Sequence, residues 1–233
     1  LSSSQPSFAK DQAVDRIVTQ YATAAAPLAR RPVGTLTASI TRNRTASGES
    51  PLGNLIADAQ LSATKAGARG GAQIALMNPG GVRADLNVPA GGGMVTYGQV
   101  FGVHPFSNSL VVKSLTGAKL RALLEQQFHS GANTASAPRV LFPSAGFTYS
   151  YDLSRPAGSR ITNMRLNGTP IADNSIYRVT LNSYLASGGD NFTVFAQGSN
   201  DLGGELDVDA LEAYLRTNSP VVPPSVNRIT RID

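Results

Sequence analysis

Ile74-Ala75-Leu76-Met77-Asn78-Pro79-Gly80-Gly81-Val82-Arg83 passes from four consecutive apolar residues into an abrupt Asn-Pro-Gly-Gly break. A short apolar run that stops this way reads as a strand buried on both faces, inside a sheet covered by helices. In open α/β sheets the crevice beyond such a strand end receives ligands, and Gly80 and Gly81 would let backbone N–H groups come close to one. Asn78 adds an amide and Arg83 a planar fork of donors. The alternative is a tight turn with a surface arginine, since Pro-Gly-Gly is also ordinary turn chemistry.

The segments on either side support an α/β reading. Val14, Ile17, Val18, Tyr21, Ala25 and Leu28 recur at helical spacing, which predicts an amphipathic helix over 10–29, with Pro32 beyond its last turn. Its apolar stripe must pack on this domain or on a neighbour preceding it. Residues 33–41 alternate as a strand. Ser50 offers an N-cap and Pro51 the favoured first helical position, with Leu52, Leu55, Ile56 and Ala59 on one face. Further along, the pattern predicts strands over 110–115, 147–151, 161–166 and 177–181, and helices over 118–128 and 209–215. Asn167-Gly168 is the strongest short hairpin signal available. Strands and helices interleave without an internal repeat, so the expectation is an α/β mixed-sheet layered sandwich over 33–233, preceded by a helix within 1–32.

Composition removes several functional classes. With 41% hydrophobic residues the chain can build a core. Cysteine is absent, which leaves no disulfide framework and no thiolate metal site. The net charge of +5 suits an anionic ligand, but the arginines are scattered and Arg30-Arg31 is the one adjacent basic pair, so a nucleic-acid partner is not expected. No apolar stretch approaches the ~20 residues of a membrane span. Two histidines, His104 and His129, lack paired-ligand spacing, and neither a phosphate-binding P-loop nor a Gly-x-Ser-x-Gly elbow is present. A dinuclear metal centre needs several converging histidines and carboxylates, so no metal ligand or catalytic residue is assigned in this chain. Because the sequence starts at Leu1 rather than Met, a processed protein or a fragment of a longer one is expected.

Two other loops carry chemistry. His104-Pro105-Phe106-Ser107-Asn108 places an aromatic ring in a polar loop, where it is either a stacking platform or a core residue. His104 reads as a loop hydrogen-bonder with no carboxylate adjoining it. Tyr184-Leu185-Ala186-Ser187-Gly188-Gly189-Asp190-Asn191-Phe192 supplies a second aromatic, a diglycine and an acid. An aromatic pair can sandwich a base, Asp190 can accept hydrogen bonds from ribose hydroxyls, Asn78 can read a base edge and Arg83 can take a phosphate or ribose oxygen. Glu49 and Asp58 are assigned to helix starts and packing.

These loops, in this order, resemble the C-terminal domain of the 5′-nucleotidase family. The resemblance extends through Glu49-Ser50-Pro51-Leu52-Gly53-Asn54-Leu55-Ile56-Ala57-Asp58-Ala59, Thr116-Gly117-Ala118-Lys119-Leu120 and Asp207-Val208-Asp209-Ala210-Leu211, and covers about 33–217. It implies that Phe106 and Tyr184 stack the base, Asp190 binds the ribose hydroxyls, Asn78 contacts the base and Arg83 the ribose or phosphate. A further family arginine precedes the 49–51 helix start; Arg42 and Arg44 both stand there, with Arg44 favoured. Where the family commonly has phenylalanine this chain has Tyr184, whose hydroxyl needs a partner when buried. The resemblance further implies a separate N-terminal metallophosphatase domain carrying two divalent metal ions, the segment 1–32 as connector, and a secreted, periplasmic or surface location. A stand-alone nucleoside-binding or sensing module, and a structural module whose Phe106 and Tyr184 are core, are the alternatives.

Overall fold

The computed structural model describes residues 9–233; the first eight residues of the expected 1–32 connector lie outside the described residues. Helix α1 (Gln12–Ala29) leads into β1 (Pro32–Leu36), and α2 (Pro51–Thr64) precedes β2 (Ile74–Met77). Strand β3 (Gly93–Thr96), α3 (Tyr97–Val103), β4 (Ser109–Thr116) and α4 (Gly117–Glu125) follow. The short strands β5 (His129–Ser130), β6 (Asn133–Thr134) and β7 (Phe142–Pro143) lead to β8 (Phe147–Tyr151), β9 (Ile161–Leu166) and β10 (Thr169–Pro170). The chain closes with β11 (Ile176–Asn182), α5 (Ser183–Ala186), β12 (Ser199–Leu206), α6 (Asp207–Thr217) and β13 (Ile229–Arg231).

The central sheet runs β12-β4-β11-β2-β7, and a second sheet runs β10-β9-β8-β13; β1-β3 and β5-β6 form two small ladders. Parallel and antiparallel pairs coexist: β11 is parallel to β2 and antiparallel to β4. This is the expected mixed-sheet α/β architecture. Strand β2 is buried along its length because it has a neighbour on each side and core on each face. Successive side chains of a strand point to opposite faces. Accordingly Ile74 and Leu76 join a core with Leu123, Phe128, Phe147 and Tyr149, while Met77 joins the other core with Leu55, Ile56, Phe142 and Leu211. Pro143, which has no N–H to give, sits at the sheet edge in β7, where its absence costs no ladder bond.

Helix α2 starts as expected. The Ser50 hydroxyl accepts the Gly53 N–H at 3.0 Å, and Pro51 occupies the first turn. Gly53 is required by close approach, because a Cβ there would overlap the Phe142 ring. Glu49 is fully buried; its carboxylate accepts the Asn54 amide at 2.6 Å and the backbone N–H groups of Arg228 and Ile229 at 3.1 Å. Asp58 takes both ends of the Arg228 guanidinium at 2.8 Å. Both acids thus fasten β13 to α2.

Several boundaries differ from the sequence expectation. The β1 ladder stops at Leu36 rather than 41, because its partner begins at Gly93 after a turn with Gly91 and Gly92 at positive φ; one bridge, Ile40 to Leu86, continues it. Helix α4 ends at Glu125, three residues early, where Gln127 is drawn away to the 139–141 segment. Helix α1 begins after Asp11, whose carboxylate caps Ala13 and Val14, and its apolar stripe stays uncovered: Val14, Ile17, Val18, Tyr21 and Leu28 are all exposed. Its C-terminal end is fixed by a bidentate Arg31–Glu212 pair (2.6 and 2.8 Å), with the guanidinium 5.1 Å above the Tyr97 ring. No helix among the described residues is long and apolar enough to cross a membrane.

Candidate nucleoside-binding cleft

Sheet topology gathers the sequence-predicted loops at one end. Because β2 and β11 are parallel, the loops leaving both emerge on the same side. Strand β4 is antiparallel to β11, with Leu110 opposite Asn182, so the loop entering β4 arrives there too. Strand β7 is antiparallel to β2, with Phe142 opposite Met77, and delivers residues 137–139 to the same rim. Ligand crevices beyond the carboxyl ends of parallel strands are the rule in such sheets. Here the result is a cleft of ≈ 1060 Å³. Arg42, Arg44, Asn78, Gly80, Gly81, Arg83, Phe106, Tyr184 and Asp190 all line it.

The two rings are the open aromatic surface of this cleft: Phe106 is 48% and Tyr184 47% exposed. Phe106 follows Pro105 and precedes Ser107 at φ 52, a left-handed conformation that turns the chain into β4. The Arg83 guanidinium lies 5.8 Å from the Phe106 centroid and donates to the Gly80 carbonyl at 3.2 Å. Tyr184 stands in α5, which Asn182 caps by accepting the Leu185 N–H at 2.9 Å. The partner its hydroxyl needs is Asp190: the phenol donates to Oδ1 and accepts the Asp190 N–H, each at 3.1 Å. A Cβ on Gly189 would press against that ring, while Gly188 takes φ +91, a turn geometry that favours glycine.

Asn78 is buried, and both ends of its amide are engaged. Its Nδ2 donates to Asp190 Oδ2 at 2.8 Å and its Oδ1 accepts from Asn182 Nδ2 at 3.0 Å. It therefore orients the acid, and one amide hydrogen is left for anything else. A Cβ on Gly81 would meet the terminal methyl of Met77, which would have to shift. Its carbonyl faces His104 Nδ1 at 2.8 Å, and His104 Nε2 lies 2.7 Å from Asp207 Oδ2. A carboxylate does adjoin His104, contrary to the sequence expectation; it comes from the start of α6, far away in the chain. The pair is fully buried beneath the Gly80-Gly81 loop and braces it, outside the cleft lining.

Charge in the cleft is one-sided. Arg42, Arg44, Arg83 and Arg139 line it against one carboxylate, Asp190. Arg42 is committed to the protein: its backbone N–H and side chain hold Asp85 Oδ1 and the Arg83 carbonyl, each at 2.8 Å. Arg44 makes no side-chain hydrogen bond or ion pair among the described residues, which leaves it the more available of the two. Arg139 was not singled out in the sequence; it sits between Pro138 and a buried apolar run, without a loop signature, and pairs with Asp190 Oδ1. Asn182 was not singled out either; an Asn directly before Ser183-Tyr184-Leu185 is the N-cap signal that marks it. Among the described residues no group of three or more His, Cys, Asp or Glu side chains could hold a metal ion.

The family model described as the 5′-nucleotidase C-terminal domain matches residues 32–197. The trifunctional nucleotide phosphoesterase protein YfkN of Bacillus subtilis (strain 168) is 36% identical over 186 residues, covering 76% of this chain and 12% of its own length. A 5′-nucleotidase-related protein of Glossina morsitans morsitans is 31% identical over 216 residues, covering 86% of this chain and 38% of its own. Among solved structures, the 5′-nucleotidase precursor of Thermus thermophilus superposes with a TM-score of 0.81 at 33% identity, over 96% of this chain and 44% of that one. The chain thus spans less than half the length of these relatives. Fold, ordered loops and matched segment together show that it belongs to the 5′-nucleotidase C-terminal domain family.

Proposed function

We propose that this domain is the nucleotide-binding half of a 5′-nucleotidase-like metallophosphoesterase. Phe106 and Tyr184 hold the base, Asp190 receives the ribose hydroxyls, and Arg44 and Arg83 face the phosphate. Arg42 supports the rim through Asp85 and the Arg83 carbonyl, Asn78 orients Asp190 and offers its spare N–H to the base, and Gly80 and Gly81 let the ligand approach the backbone. The supporting observation is the convergence of half-open aromatics, one acid and four arginines on one cleft of ≈ 1060 Å³. A nucleotide asks for this combination: an apolar base, a diol and an anion.

The residues described here do not fit a dinuclear metal centre, so no hydrolytic step is assigned to them. In this reading two divalent metal ions belong to a separate N-terminal metallophosphatase domain, and this chain's role is to bind and present the phosphate. The segment 1–32, with α1, serves as the connector. A secreted, periplasmic or surface location is in keeping with relatives named snake venom 5′-nucleotidase and cell wall protein Lmo0130.

The test is to incubate the purified chain with AMP and Mg²⁺, Mn²⁺ or Zn²⁺ and follow both binding and phosphate release. Saturable binding without phosphate release is expected. Metal-dependent release in proportion to the chain would overturn the division of labour.

A further inference from the structure

We propose that Arg139 and the Tyr184 hydroxyl are positioning groups that hold the Asp190 carboxylate for a ribose diol, and so make this cleft prefer ribonucleosides to deoxyribonucleosides. The inference rests on the nucleoside reading above and adds what fixes its sugar specificity.

Asp190 is held in an unfavourable backbone conformation. It lies at φ 54 and ψ 25, a left-handed geometry that non-glycine residues adopt uncommonly. The surrounding contacts over-determine it. Asn133 Nδ2 donates to the Asp190 carbonyl at 2.9 Å, Ser130 Oγ donates to the Asn191 carbonyl at 2.7 Å, and the Tyr184 hydroxyl accepts the Asp190 N–H at 3.1 Å. The Asp190 side chain is 9% exposed, and its carboxylate accepts from Arg139 and Tyr184 on Oδ1 and from Asn78 on Oδ2. A carboxylate offers about four acceptor sites, so these three fix its plane and leave capacity for a ligand hydroxyl at the cleft wall.

Among the described residues Arg139 is the one cation paired with this acid, and its own backbone is tied down. Its N–H donates to the Gln127 carbonyl at 3.0 Å, and the fully buried Gln127 side chain accepts the Leu141 N–H at 2.7 Å. The Arg139 side chain, 40% exposed, therefore approaches Asp190 from a segment stapled to Gln127 on the same rim. Without it a nearly buried carboxylate would lose its charge partner and one of the three donors that set its orientation, while the aromatic surfaces would be untouched. The effect should be confined to ligands whose ribose hydroxyls use Asp190.

Calorimetric titration of the chain with adenosine and 2′,3′-dideoxyadenosine tests this. Wild type should prefer adenosine. Arg139→Ala should weaken adenosine binding about tenfold, as loss of a charge-assisted hydrogen bond does, with dideoxyadenosine changed by less than about twofold. Arg139→Lys, which restores charge without the planar fork, should fall between, and Tyr184→Phe should lower the adenosine preference while keeping the stacking ring. Equal losses for both nucleosides, or adenosine binding unchanged or tightened in Arg139→Ala, would overturn the inference alone. Failure of wild type to bind adenosine would overturn the nucleoside reading with it.

Discussion

Phe106 and Phe192 have similar surroundings in the sequence, each in a polar loop beside Asn or Ser, yet they do different work. Phe192 is fully buried and packs in the core at 6.2 Å from Phe195, whereas Phe106 is half exposed over the cleft. Phe192→Ala should therefore cost ~3–5 kcal/mol of unfolding free energy, the range for deleting a core aromatic. Phe106→Ala should cost well under half of that, because much of its ring is already in water, and urea denaturation of the two variants measures the difference. A similar loss for both would mean Phe106 is a core residue. The sequence marked Phe106, Tyr184, Asp190 and Arg83 as candidates, with turn and core readings open until the family resemblance was added, and all four line the cleft. It was not enough for Arg139, which sits in an unremarkable segment and meets Asp190 through the antiparallel pairing of β7, nor for the Asp207 carboxylate beside His104. Both contacts depend on tertiary placement with no local signature.

At the level of elements, an Arg31–Glu212 ion pair ties the chain just after α1 to α6, beside a Tyr97 N–H that donates to the Arg31 carbonyl at 2.9 Å. The Arg31 guanidinium hydrogen-bonds Glu212 and holds its carboxyl below the ordinary glutamate range, while Arg31 itself is raised by the same bond. A carboxyl with a depressed folded value stabilises the fold above its unfolded value of about 4.3 and loses that contribution as pH falls through the folded value. Glu212→Gln should accordingly unfold more readily than wild type at neutral pH, with the gap closing below about pH 4; thermal unfolding across that range reads it directly. A gap that persists unchanged into acid would show that Glu212 acts by packing alone. Regular elements were largely legible here: β2, β8 and β9 fall where the pattern places them, and the Asn167-Gly168 turn joins β9 to β10 with both residues at positive φ. Helix α3 was missed although Thr96 and Gln99 form a capping box, because the segment is only seven residues long. Strand β12 was missed because its Asp201, Gly203, Gly204 and Glu205 lack any apolar period; pairing with β4 makes it a strand.

Across the whole molecule, the two faces of β2 separate two cores, and the pairing order β4-β11-β2-β7 decides what the rim contains. Segments distant in the chain become one cleft only because two of these strands are parallel and their flanking partners antiparallel. No local reading of the sequence supplies that, whereas the order of several motifs along the chain does, through family resemblance. The central claim is that Phe106 and Tyr184 clamp a nucleoside in this cleft without the help of another domain. Calorimetric titration of the chain with adenosine, in the absence of added metal, tests it most directly. Saturable binding by wild type, lost in Phe106→Ala and Tyr184→Ala variants that remain folded, is the predicted result. No binding by wild type, or binding that both variants retain, would contradict it.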